Sequence, residues 1–180
     1  MAKGNPLRRL VDEHPEIGAF IEAHNEIHFG SDRAAAILVA AALEQYLRAM
    51  ILLYLPNRDG DTSEKLLGNG GALSSFYNNI HLAYAMGLID TITKEDLNTI
   101  RNVRNVFAHA MGHVSFETLE IKQECERLKT TAEYKIPTLD TTQAAPLNRQ
   151  RYIAVSENIT WKIFTKASEQ MNEDGSTAES

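Results

Sequence analysis

At 180 residues, with 43% hydrophobic side chains and a net charge of −6, the chain has length and apolar content for one packed core and too little of either for two full domains. The acidic balance argues against a freestanding binder of duplex DNA, which needs a basic face. A lone cysteine, Cys125, excludes an intramolecular disulfide and a zinc-type cysteine cluster, and Met1 to Pro6 lack the apolar segment of a secretory signal, so a reducing cytoplasm is the expected compartment.

Pro15 suits a first helical turn, and Ile17, Phe20, Ile21, His24 and His28 recur at spacings of three and four, which predicts an amphipathic helix ended by Gly30. Ser31 or Asp32 then caps a long helix that runs to Leu55 and stops at the turn formers from Pro56 to Gly60. Its apolar run approaches membrane-spanning length. Glu44, Gln45 and Arg48 interrupt it at the centre, however, where each charge costs roughly 2.5–3.5 kcal/mol in a bilayer, so it reads as the buried central helix of a bundle, with no membrane partner expected.

The stretch to Gly71 reads as a polar, glycine-rich loop with one short helical turn at Ser63 to Leu67. Ser74 or Ser75 opens the next helix, with Phe76, Ile80, Tyr84 and Leu88 four residues apart and Gly87 near its end. Thr93 and Asp96 have the spacing of a capping box. The helix they begin carries Leu97, Ile100, Val103 and Phe107 on its apolar face and must have ended by Gly112. Ser115 is placed to cap a helix from Phe116 to about Ala132, with Leu119, Cys125 and Leu128 among its apolar positions. An irregular connection over Ile136 to Asn148 precedes a last amphipathic helix, Arg151 to Met171, which is expected to bury Ile153, Ile159, Trp161 and Phe164. With no internal repeat and no strand alternation, the expectation is an all-α helical bundle of six to seven helices, one domain over residues 1–171 and a disordered tail over 172–180.

Little of the usual chemistry is present. Gly68-Asn69-Gly70-Gly71 neither follows an apolar strand nor carries the Lys-Ser/Thr step of a phosphate-binding loop, so no cofactor is expected. Cys125 reads as a small core residue. His24/His28 and His109/His113 each have the four-residue step that sets two imidazoles on one helix side, yet neither has a carboxylate at helical spacing, and no metal site is assigned. Arg8/Arg9, Arg101/Arg104 and Arg149/Arg151 are local basic clusters, and Arg101 with Arg104 form a candidate anion or sugar-phosphate site.

The segment Arg104-Asn105-Val106-Phe107-Ala108-His109 stands apart. Turning about 100° per residue from Arg101, Asn105 falls near 40° and His109 near 80°, one polar stripe, while Arg104 falls near 300° and borders the apolar face. A structural role is open to all three: Arg104 and Asn105 bonding to a neighbouring helix through Glu44, and His109 capping the C-terminus.

The residues Phe76 to Ile89, Leu97, Ile100 to His109 and Phe116 resemble the mannitol operon repressor family over about residues 30 to 130. That resemblance implies a helical bundle acting in bacterial transcriptional control through a protein partner, without a DNA-reading helix. Arg104, Asn105 and His109 also resemble the Arg-polar-x-x-x-His motif of the HEPN superfamily. Its members dimerise along the motif helix, and many are metal-independent ribonucleases in which the histidine acts on the ribose 2′-hydroxyl and the arginine holds the phosphate. On an ideal helix Arg104 and His109 lie about 140° apart, which favours a site assembled from two copies over one within a protomer. The expectation from these residues is a cytoplasmic, homodimeric, non-enzymatic regulatory or interaction module. The alternative is a ribonuclease acting on RNA, such as a toxin, with Arg104, Asn105 and His109 at its catalytic site.

Overall fold

The computed structural model describes residues 15–57, 59–68, 70–130 and 147–178, with side chains from residue 22 of the first helix and up to residue 171 of the last. Seven helices and no strand occur among them: α1 (Pro15–Phe29), α2 (Asp32–Tyr54), α3 (Gly60–Leu67), α4 (Phe76–Ala85), α5 (Thr91–His109), α6 (Leu119–Glu126) and α7 (Leu147–Ala178). The expected all-α bundle is the observed architecture. Most of the connection expected over 136–148 lies outside the described residues; Leu147 and Asn148 already belong to α7.

The long apolar helix α2 is central, packing against α1, α4, α5 and α7. It is long and apolar enough to cross a membrane. In the fold its stripe Ala35, Ala36, Val39, Ala40, Leu43 and Leu47 is buried against those neighbours. Three alanines on one face let helices approach closely, and Tyr152 of α7 uses that closeness to donate its hydroxyl to the Ala36 carbonyl at 3.1 Å. Phe116 stacks between Phe107 and Tyr152, with ring centroids 5.0 and 5.2 Å away, and joins α5 to α7.

Caps explain most boundaries. Ser31, Ser75 and Asp59 each accept the amide three residues on, beginning α2, α4 and α3. Gly87, in the left-handed region at φ +72°, lets the Leu88 amide return to the Ala83 carbonyl and close α4. The capping box expected at Thr93 and Asp96 does not form. Asp90 is the cap of α5, accepting the Thr93 amide at 2.7 Å, and Asp96 instead accepts the amides of Lys129 and Thr130. The same carboxylate explains why the helix expected from Phe116 to Ala132 is only Leu119–Glu126: beyond it the chain is straightened onto Asp96, and Leu119 is largely exposed. In α7 Ile153 and Ile159 are buried as expected, but Trp161 and Phe164 are 49% and 47% exposed, and the fully buried aromatic is Tyr152. The helical backbone of α7 continues past Met171 to Ala178.

Candidate functional site

The motif helix α5 buries Leu97, Ile100, Val103 and Phe107, so its remaining faces are set by the core it joins. Arg104 leans along α2, where its Nη2 is 3.7 Å from Glu44 Oε2. Burial raises the Glu44 carboxyl above its ordinary value, and Arg104 and Arg48 pull it back down. Arg104 thus meets Glu44 as a long ion pair between α5 and α2, and among the described residues no hydrogen bond joins Asn105 to Glu44.

Arg101 turns to a different neighbour. Its guanidinium lies over the Tyr77 ring of α4 at 5.1 Å, its Nη2 donates to Asn102 Oδ1 at 3.0 Å, and Tyr77 stacks in turn on His81 at 4.3 Å. The two guanidiniums therefore engage different helices. Asn105 is half-buried and His109 exposed, and among the described residues no side-chain hydrogen bond or ion pair joins Arg104, Asn105 and His109 to one another. Nor does His109 close the helix end it stands at. That end is held by Arg33 of α2, whose Nη2 donates to the Ala110 carbonyl at 2.7 Å and reaches the Gly112 carbonyl at 3.4 Å. Arg33 lies 77 residues from Ala110, a separation no local pattern could bridge.

Around this helix the surface is mixed. Val106 is 46% exposed and Met111, past the helix end, fully exposed, while Tyr77, 48% exposed, lies beside Arg101 and His81. Of the other basic clusters, Arg8/Arg9 lies outside the described residues. Arg149 is buried, bonded to Asp32 Oδ1 at 3.2 Å and to the carbonyls of Ile27 and Gly30 at 3.0 and 2.8 Å, so it fastens α7 to the α1–α2 junction. Cys125 is fully buried, and burial pushes its thiol up to about 12, which matches a core residue rather than a nucleophile.

The two histidine pairs differ. His109 ends α5, so His113 lies beyond the helix and off its face. His24 and His28 do stack, with centroids 4.3 Å apart, and the fold supplies the carboxylate that helical spacing did not: Glu157 Oε1 of α7 lies 3.2 Å from His28 Nε2. Burial lowers both imidazoles below their ordinary value, helped at His24 by His28 and at His28 by Arg149, while burial raises Glu157. Among the described residues no cluster of three or more His, Cys, Asp or Glu side chains is arranged to hold a metal ion.

No protein-family model and no curated protein matches the chain. Among solved structures, a chain of the X-ray structure of the MtlR–HPr complex from Escherichia coli aligns with a TM-score of 0.54 and 20% identity, over 82% of this chain and 94% of that one. The similarity is one of fold: the bundle is MtlR-like.

Proposed function

We propose that this protein is a non-enzymatic regulatory module that works by binding a protein partner, as MtlR is joined to HPr in the complex that contains the chain of similar fold. The observation that carries the reading is that shared bundle, spanning nearly the whole of a chain crystallised with a protein partner. Surface side chains support it: Tyr77 of α4, Arg101 of α5 and Met111, two residues past α5, belong to the side-chain types that anchor protein interfaces, and Arg101 is already stiffened by stacking on Tyr77. Arg104 is paired with Glu44 and stands about 140° around the helix from His109, which disfavours a catalytic pair within one protomer. In this reading the role is bacterial transcriptional control, to which the resemblance of residues 30 to 130 points; the proposed homodimer rests on the likeness of Arg104, Asn105 and His109 to the HEPN motif, and the proposed cytoplasmic location on the single cysteine, Cys125.

Calorimetric titration of the purified chain with HPr tests this. The expected result is saturable binding that Arg101→Glu weakens by about tenfold or more, since a reversed charge at an interface repels what the native one attracts. Absence of binding, or binding indifferent to Arg101→Glu and Met111→Asp, overturns it. So does cleavage of single-stranded RNA in EDTA that a folded His109→Ala variant loses.

A further inference from the structure

A cleft of about 350 Å³ opens between α1, α2 and α7, and it shares no residue with the α4–α5 surface. Its walls are apolar: Ile27 from α1, Val39 and Leu43 from α2, Ile153 from α7. Tyr46, Trp161 and Phe164 form an aromatic side, with the Tyr46 and Phe164 rings 5.0 Å apart. The hydroxyls of Ser156 and Thr160 also line it, but each donates to its own helix, to the carbonyls of Tyr152 at 2.7 Å and Ser156 at 2.9 Å, and so brings no free donor to the cavity.

The ionisable side chains His24, His28 and Glu157 meet at one corner of the cleft. Glu157 lines this corner with Oε1 at 3.2 Å from His28 Nε2 and His24 close enough to interact with it, and a carboxylate has about four lone-pair positions, so such contacts do not exhaust its capacity to accept. The nearby cation Arg149 is bonded to Asp32 and to two backbone carbonyls, so it does not neutralise this carboxylate directly. Volume, an apolar body, aromatic faces and one acceptor-rich acidic corner are the elements of a small-molecule site. An ammonium group suits such a corner twice over, as an ion-pair partner for the carboxylate and as a cation against aromatic faces. We infer that this cleft binds a compact organic amine, with its aromatic or branched body between Leu43 and Trp161 and its ammonium group at Glu157.

The chain has one tryptophan, and it lines the cleft, so its emission reports occupancy directly. Trp161 fluorescence is titrated near pH 7.5 with 2-phenylethylamine, and with 2-phenylethanol and phenylacetate as neutral and anionic counterparts of similar shape. The expected result is a saturable change with the amine at an affinity about tenfold or more above that of either counterpart. Glu157→Gln should remove that preference, and Ala42→Phe, which fills the cleft from α2, should remove the response to all three probes. Variants are accepted only if their helical circular dichroism matches the wild type. No saturable change with the amine on wild-type protein, equal affinity for the alcohol, or an amine affinity unaltered by Glu157→Gln overturns the assignment.

Discussion

Asp96 is 1% exposed and accepts three amide contacts, from Lys129 at 3.0 and 3.2 Å and from Thr130 at 2.6 Å. A buried carboxylate is tolerable only when its oxygens are occupied in this way. Here it also ends α6 and returns the chain toward α5. Asp96→Ala should therefore lower the unfolding free energy in urea by about 3 kcal/mol, with Asp96→Asn losing less because its carbonyl oxygen still accepts. Tyr152 carries a comparable duty with no charge. Fully buried, with its hydroxyl within reach of the Ala36 and Ile100 carbonyls at 3.1 and 3.4 Å, it ties α7 to the two helices beneath it. Neither role leaves a local sign in the sequence. An Asp three residues after a Thr looks like half of a capping box until the partner amides, 33 and 34 residues away, are known.

At the scale of helices, α2 and α7 show how composition and neighbours divide the work. The alanines of α2 are not equivalent: Ala36 is fully buried beside the Tyr152 hydroxyl, whereas Ala49 on the same helix is exposed. Ala36→Leu should cost about 1–3 kcal/mol by overpacking the contact with α7, while Ala49→Leu should stay within about 0.5 kcal/mol of wild type; paired thermal melts check both. In α7 two apolar stripes coexist. Taking Tyr152 as zero, Ser156, Ile159 and Ile163 fall within about 40° of it, but Phe164 lies near 120° and Trp161 near 180°. Hydrophobicity alone ranks Trp161 and Phe164 as core. The positions of α2, α5 and α6 select the Tyr152 stripe instead, leaving the other to line the cleft with α1.

Across the whole molecule, folding changes the proton affinity of His24, His28 and Glu157 in opposite senses. The two imidazoles have folded values below the unfolded value of about 6.5, so their contribution to stability is present above that pH and is lost as pH falls through the folded values. Glu157 is raised, so its contribution is full below the carboxylate range and lost as pH rises through its folded value. Arg149 adds to the first effect at His28, and the contact between His28 and Glu157 links the two. Between about pH 7.5 and about pH 5.5, a His24→Gln/His28→Gln variant should therefore lose less melting temperature than wild type, and Glu157→Gln should lose more. Scanning calorimetry across that range reads the sign. The reverse order would place the titrating groups elsewhere.

What the sequence determined by itself is the all-α class, the central place of α2, the apolar face of α5 and the starts of α1, α2 and α4. These rest on periodicity and on capping contacts between residues three or four apart, which local order encodes. Glu44, a carboxylate in a largely apolar helix, was legible as one possible neighbour for Arg104 and Asn105; of these two, only Arg104 pairs with it once the helices pack, at 3.7 Å. The tertiary structure alone decided which stripe of α7 faces the core, that Asp96 anchors Lys129 and Thr130, that Arg33 closes the end of α5, and that Glu157 meets the histidine pair of α1. Each of those depends on groups brought together from distant parts of the chain, and their energies are set by burial and distance, quantities that exist only after the helices have packed.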